Sequence, residues 1–186
     1  LIRHYGGLIK ITENLKNKNV IILGAGPGLE KDIHLLKKYR DRADTVYIAA
    51  DMALKPLLVH GVKPHYVITC ETTPLDFFSG IDTSQIHLLA FSCSSSSNLR
   101  SWKGEISFYN WMMDSDFFNE LWEIAGMDLG FVATGSIVVT QAVSIALGCG
   151  ISGLVLAGND LGFIDRYYLA GAVSTEKRYN HSWRLN

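Results

Sequence analysis

The sequence lacks the residue patterns that mark disulfide-rich and zinc-binding proteins. Its three cysteines, Cys70, Cys93 and Cys149, form neither a CxxC pair nor a disulfide framework, which favours a reducing, cytoplasmic location. The six histidines show neither HxxxH nor HExxH spacing, so no metal site is predicted.

An excess of positive charge and a membrane-length apolar run are also missing. The formal net charge is −1, so neither nucleic acid nor a membrane surface is expected as a partner. No apolar run reaches the roughly 18 residues of a transmembrane helix. The start is too polar for a signal peptide, and because it lacks an initiating Met we expect an excised fragment.

What is present is a globular composition arranged in alternating strand and helix patterns. The 186 residues are 48% hydrophobic, enough for one domain with a sizeable core. Short apolar runs predict strands, and apolar residues three or four apart predict helices. The strands are 20–23, 45–50, 66–70, 86–91, 106–109 and 154–157, and the helices are 29–39, 53–60, 116–125 and 136–147. This order predicts an α/β fold, a Rossmann-like doubly wound, mostly parallel sheet in a single domain.

The first strand runs into a glycine-rich turn within the stretch VIILGAGPGLEKD. Glycine lets a ligand approach the backbone, and free N–H groups at the start of a helix attract anions. The turn therefore predicts a phosphate or carboxylate site, formed by Gly24, Ala25, Gly26, Pro27 and Gly28. We expect Gly26→Val to abolish nucleotide binding and to leave the fold intact.

The residue pattern of this turn is compatible with several classes of ligand. A dinucleotide fingerprint ends in Gly or Ala, and Leu29 stands there instead, which weakens an NAD assignment. The GxGxG spelling also occurs in adenosylmethionine-dependent methyltransferases, which usually carry an acid after the second strand, where Asp51 lies. A tight turn without any ligand is the structural alternative.

Acidic residues follow three of the predicted strands. Asp51, Glu71 and Asp160 hold these positions, and Thr72 and Asn159 are their neighbours. Since the carboxyl ends of parallel strands meet at one edge, we expect these side chains to converge beside the glycine turn. Carboxylates there can hold ribose hydroxyls or a divalent metal, or act as a base. Each alone is as easily a loop acid or a helix cap, which is the alternative for Asp51.

The predicted helix 136–147 begins with a second polar turn. Thr134, Gly135 and Ser136 either cap this helix or present hydroxyl and N–H groups to a second phosphate.

Three stretches together resemble a known domain family. They are IILGAGPGLEKDI, AADMALKPLLVHGVKPHYVITCE and ATGSIVVTQAVSIALGCGISGLVLAGNDLGF, and the resemblance covers about residues 15–170. The chain resembles the bacterial motility accessory factors, which are grouped with archaeal 6-hydroxymethylpterin diphosphokinases. The resemblance implies an N-terminal extension (1–18), a Rossmann-like nucleotide-binding transferase domain (19–164) and an irregular or truncated C-terminal segment (165–186).

The two branches of this family imply different reactions. The bacterial branch implies glycosyl transfer from a CMP-activated nonulosonic acid to a protein acceptor such as flagellin. The archaeal branch implies diphosphate transfer from ATP, with magnesium, to a pterin. In either case Asp160 and Glu71 are expected to be catalytic, and the nucleotide is expected to contact Asp51, Thr72, Asn159 and both polar turns.

Departures from the family pattern bear on the choice between these branches. Gly28 replaces a Ser usual in the first turn, and Pro64-His65 replaces Pro-Asp. Glu71-Thr72-Thr73 stands where archaeal members have an Asp-rich turn, which favours the glycosyltransferase. A methyltransferase and a non-catalytic nucleotide-binding module are kept as further alternatives.

Overall fold

A parallel β-sheet with helices on both faces forms the centre of the protein. The computed structural model describes residues 7–75, 77–112, 115–125, 130–133, 137–162 and 168–172. The strands are β1 Asn19–Leu23, β2 Thr45–Ala50, β3 Tyr66–Thr69, β4 His87–Phe91, β5 Ile106–Met112, β6 Phe131–Ala133 and β7 Gly153–Ala157. The helices are α1 Ile9–Leu15, α2 Leu29–Tyr39, α3 Asp51–Val59, α4 Ser96–Ser101, α5 Asp116–Ala125 and α6 Val138–Gly148.

The order of the strands creates a switch point at β1. The seven strands lie in the order β6-β5-β4-β3-β2-β1-β7, and every neighbouring pair is parallel. The chain moves outward from β1 to β6 and then returns to place β7 on the other side of β1. Parallel sheets bind ligands beyond the carboxyl ends of the strands at such a reversal. The predicted α/β, Rossmann-like fold is confirmed.

Alternating strand residues bury apolar side chains on both faces of the sheet. Leu23 and Tyr47 pack with α2 and α3 on one face, whereas Ile22 and Ile48 pack with α1 and α6 on the other. Every residue of β2 is buried. The continuous apolar runs of the sequence arise from this double coverage, because neither face of a central strand meets water.

Several boundaries differ from the sequence-based predictions. Helix α1 lies in the predicted N-terminal extension, and its Ile11 and Leu15 are fully buried. Helix α3 begins at Asp51, two residues before the predicted start. Strand β6, only three residues long, was not predicted. In the predicted irregular segment, Leu169 is buried in the core and its N–H donates to the Ala25 carbonyl at 2.7 Å.

Within the described part of the chain, no helix is long and apolar enough to cross a membrane.

Candidate functional site

A cavity of about 560 Å³ opens at the carboxyl edge of the sheet, at the switch point. Residues from the ends of β1, β2, β3 and β7 and from the start of α6 surround it. Its lining includes Gly24, Ala25, Gly26, Asp51, Cys70, Glu71, Phe77, Val138, Val139, Asn159, Asp160 and Tyr168. The predicted meeting of the three acids with the glycine turn is therefore seen in the structure. The chemical roles of these residues stay predictions.

The glycine turn is packed tightly against the loop that follows β7. A Cβ on Gly24 would meet Asn159 Oδ1 and the Gly158 carbonyl at 2.3 Å. A Cβ on Gly26 would meet Asp160 Oδ2 at 2.3 Å, and one on Gly28 would meet Asp160 Oδ1 at 2.4 Å. Glycine is therefore needed at these positions because the turn after β1 packs directly against the loop after β7, which leaves no room for a side chain.

This packing corrects the expectation that Gly26→Val would leave the fold intact. The valine Cβ would overlap the Asp160 carboxylate and lie 2.7 Å from the Gly158 carbonyl, which is backbone and cannot rotate away. The substitution would separate the two loops that form the cavity wall. A loss of ligand binding in this variant would not by itself identify the turn as a phosphate site.

Backbone N–H groups of the turn already have partners within the protein. Gly24 N–H donates to the Ala157 carbonyl at 2.9 Å and Gly26 N–H to the Gly158 carbonyl at 2.8 Å. Gly28 N–H donates to Asp160 Oδ2 at 2.7 Å, so a carboxylate occupies the start of α2. Negative charge is favourable at a helix N-terminus. Asp160 thus supplies the anion that the sequence led us to expect from a ligand.

The two residues after Gly158 hold different positions. Asp160 is exposed at the cavity wall, as its place after β7 predicts. Asn159 Nδ2 donates to the carbonyls of Ile22 and Ala157, at 3.1 and 3.0 Å, and so joins the ends of β1 and β7. Its Oδ1 is buried and finds no partner among the described residues.

Asp51 is the most deeply buried acid of the cavity, with 8% of its surface exposed. Its Oδ1 accepts from the Met52 N–H at 2.8 Å, and its Oδ2 accepts from the Thr69 hydroxyl at 2.7 Å. Burial raises the pKa of Asp51 to about 6, although both hydrogen bonds act to lower it, and nearby Glu71 raises it further. The capping alternative is wrong, because Ala50 is the N-cap and Asp51 is already the first residue of α3, where its carboxylate bonds the N–H of the adjacent Met52.

Glu71 has the opposite electrostatic environment. Its Oε1 accepts from both the hydroxyl and the N–H of Thr73, and these bonds lower the pKa of Glu71 below its usual value. The preceding Cys70 also lines the cavity, and burial raises the pKa of its thiol. The cavity therefore pairs a firmly ionised acid with one that titrates near neutrality.

Some predicted site residues do not line the cavity. Thr72 is exposed and lies outside the lining, Pro27 is buried, and Gly28 is covered by Asp160. Thr134, Gly135 and Ser136 fall outside the described residues. The start of the helix that they precede does reach the site, since Ile137 and Val138 are part of the wall.

The sequence-based prediction missed the apolar part of the wall. Phe77 and Tyr168 lie in irregular segments without periodicity, so no pattern indicated where they would fold. Val138 and Val139 were assigned to a helix without a stated face, and Met52 was placed just before one. The position of Val138 and Val139 was predictable in principle. They lie at the start of the helix that precedes β7, and the start of such a helix lies near the carboxyl edge of the sheet.

The described lining residues include no Lys, Arg or His to balance the carboxylates. Among the described residues there is also no cluster of three or more His, Cys, Asp or Glu side chains arranged to hold a metal ion.

Fold and site together define a Rossmann-like α/β domain with an acidic cavity at its switch point. The family model for 6-hydroxymethylpterin diphosphokinase MptE-like proteins matches residues 3–166. The chain belongs to this family, and the resemblance seen in its sequence is confirmed.

Among solved structures, the chain is similar to the MAf glycosyltransferase from Magnetospirillum magneticum AMB-1. The TM-score is 0.62 and the sequences are 19% identical, which establishes a shared fold. The match covers 79% of this chain and 23% of the other, so the chain spans less than a quarter of that larger protein. A comparison with curated proteins found no match.

Proposed function

We propose that the chain is a nucleotide-binding transferase domain that moves a sugar from a CMP-activated nonulosonic acid donor to a protein acceptor such as flagellin. The observation that carries the proposal is the cavity at the switch point, where acids from three strand ends meet the glycine turn. The fold shared with a MAf glycosyltransferase supports the choice of reaction.

The nucleotide is proposed to lie between the glycine turn and the start of α6. The N–H groups of the glycine turn are already bonded to the β7 loop, which favours the other helix start for the phosphate. The first N–H groups of a helix have no partner within it, and α6 begins at the cavity wall. The apolar side chains of Phe77 and Tyr168 would then contact the base or the sugar.

Diphosphate transfer from ATP to a pterin is the second candidate, and the description of the family favours it. The methyltransferase alternative is less well supported, because neither the matching family nor the similar solved structure is described as a methyltransferase.

A thermal-shift panel tests these assignments directly. CMP, a CMP-sugar, UDP, ATP, adenosylmethionine and NAD would be compared with and without magnesium. A ligand at about 100 times its Kd stabilises the folded state by roughly 2.7 kcal/mol. We expect the largest shift with a cytidine nucleotide. A larger shift with magnesium and ATP would favour the diphosphokinase, and a larger shift with adenosylmethionine would favour the methyltransferase.

A further inference from the structure

Three carboxylates line the cavity, and their surroundings suit them to different tasks. Asp160 is exposed and bound to the Gly28 N–H at the start of α2. Glu71 accepts two hydrogen bonds from Thr73, which stabilise its ionised form. Glu71 therefore holds its negative charge and is a poor proton acceptor, whereas Asp160 is tied to the glycine turn.

Asp51 differs in being buried and held in one orientation. The Thr69 hydroxyl and the Met52 N–H each hold one of its two oxygens. Thr69 is itself fully buried, and its carbonyl accepts from the Tyr109 hydroxyl at 3.1 Å. Hydrogen bonds of Thr69 thus link β5 and β3 to the carboxylate of Asp51, which is a residue of the cavity wall.

We propose that Asp51 is the residue that accepts the proton of the acceptor hydroxyl during transfer. This inference rests on the proposed function, and it holds for either donor because glycosyl and diphosphate transfer both deprotonate a hydroxyl. The O–H bond of the acceptor breaks, and its proton passes to a carboxylate oxygen of Asp51. The freed electron pair forms the new bond to carbon or phosphorus, and the bond to the nucleotide phosphate breaks, with its pair leaving on that phosphate.

The surroundings of Asp51 set the pH at which it can act. Burial and the neighbouring charge of Glu71 raise its pKa to about 6, near the pH at which a general base is most effective. The other titratable groups that face it are Cys70, which directly follows β3, and Tyr109 on β5, and burial raises the pKa of both, so they stay neutral near pH 7. Because the base must be ionised, the rate is expected to rise with pH through about 6 and then level off.

The test combines a titration with turnover, so that it does not depend on activity alone. Protein with ¹³C-labelled aspartate would be titrated by NMR from pH 4.5 to 8, with and without saturating CMP. Asp51→Asn identifies the Asp51 signal. The amide keeps an acceptor for the Met52 N–H and lets the Thr69 hydroxyl accept, so this variant is expected to fold. The matched control is Asp82→Asn, because Asp82 is an exposed acid outside the cavity.

We expect the Asp51 signal to titrate near pH 6 and to shift when CMP binds. In release of CMP from CMP-sialic acid, Asp51→Asn should lose at least about 100-fold in kcat with CMP affinity within about threefold, and its pH dependence should disappear. Asp82→Asn should match the wild type. Glu71→Gln should keep a rise with pH whatever its rate, shifted to lower pH because the neighbouring charge is lost.

Each remaining result counts against one specific claim. An Asp51 signal that titrates below pH 5, or that ignores bound CMP, would overturn the assignment of Asp51 even if no turnover is detected. So would a rate unchanged in Asp51→Asn. Failure of every nucleotide to bind the wild type would instead overturn the proposed function.

Discussion

The two edges of the same sheet each carry a cavity, and they differ in how their polar groups are used. The amino-edge cavity is the larger, at about 650 Å³ against about 560 Å³, and it includes Arg40, His65 and His87. There the polar groups bond mainly to one another. Arg40 Nη1 lies 2.9 Å from His65 Nε2, and His87 Nε2 lies 3.0 Å from the Ser107 hydroxyl.

At the carboxyl edge, the polar groups instead bond to the backbone of the loops and strand ends around them. Asp51 reaches the wall with a raised pKa, and Asn159 Oδ1 has no partner among the described residues. The comparison teaches that size does not identify the site. Position at the carboxyl ends of the strands is the criterion that favours this edge for the proposed site.

The largest expected effect tests whether the glycine contacts at the carboxyl edge are structural. Gly158 has φ +65°, and a Cβ there would lie 2.8 Å from the Leu29 Cβ and 2.7 Å from the Gly24 carbonyl. Gly158→Ala should therefore lower the free energy of unfolding by about 3 kcal/mol, through backbone strain and overpacking. Urea denaturation measures this.

Gly162→Ala is the matched control for that change, since its nearest contact is an ordinary 3.6 Å to the Asp160 carbonyl. It should change stability by no more than about 0.5 kcal/mol. Equal losses in both variants would show that the loop packing matters less than the distances indicate.

The second prediction contrasts the two edges through the pH dependence of stability. The raised pKa of Asp51 means that the folded state binds a proton more tightly than the unfolded state. Stability should therefore fall as pH rises from about 4 to about 6, by about 3 kcal/mol. Burial lowers the pKa of His65 to about 4, so this residue makes stability rise with pH between about 4 and 6.5.

Single substitutions should separate these opposing slopes. Asp51→Asn should leave stability rising across this pH range, whereas His65→Asn should leave it falling. Urea midpoints from pH 4 to 7 measure both slopes. Parallel curves for the two variants would contradict the contrast between the edges.

The third prediction asks which cavity takes the nucleotide. Ile137 lies at the carboxyl-edge wall and is 41% exposed, so Ile137→Trp should fill the cavity without disturbing the core. CMP affinity should fall at least about tenfold, or about 1.4 kcal/mol. Ser84→Trp, in the amino-edge cavity, is the control and should bind CMP as the wild type does. The reverse result in calorimetry would move the site to the other edge.

The smallest expected effect concerns thiol reactivity. Cys70 lines the carboxyl-edge cavity, and burial raises its pKa, whereas Cys93 is exposed. Iodoacetamide should modify Cys93 first, because the thiolate is the reactive form and needs access. Bound CMP should slow alkylation of Cys70 a few-fold and leave Cys93 unchanged, as mass spectrometry of tryptic peptides would show. Equal protection of both thiols would indicate that CMP makes the whole protein more rigid, and would contradict binding beside Cys70.

Periodicity and position were enough to predict the fold and the meeting of the acids. Apolar runs gave most strands, and parallel strands necessarily bring their carboxyl ends to one edge, so Asp51, Glu71 and Asp160 could be placed together. What they do there could not be predicted, because hydrogen-bond partners such as Thr69 for Asp51 depend on side-chain packing.

Other parts of the site could not be predicted either, because they also depend on packing between distant segments of the chain. A small residue usually stands at the position of Leu29 so that the helix packs closely on the strand, yet Leu29 is fully buried because Gly158, which is 129 positions away, leaves room for it. Tyr168 lies in a segment without periodicity, and the hydrogen bond from its neighbour Leu169 to Ala25 helps to hold it at the site.

The hydrogen bond from Gly28 to Asp160 spans 132 positions of the chain. The loops that follow β1 and β7 therefore form the cavity together. Because these loops are far apart in the sequence, the ribosome synthesises the second long after the first. Such long-range pairing forms slowly compared with local contacts. A nascent chain that ends before Gly153 lacks β7, so the glycine turn has no loop to pack against. Ligand binding during translation should begin only once β7 has emerged.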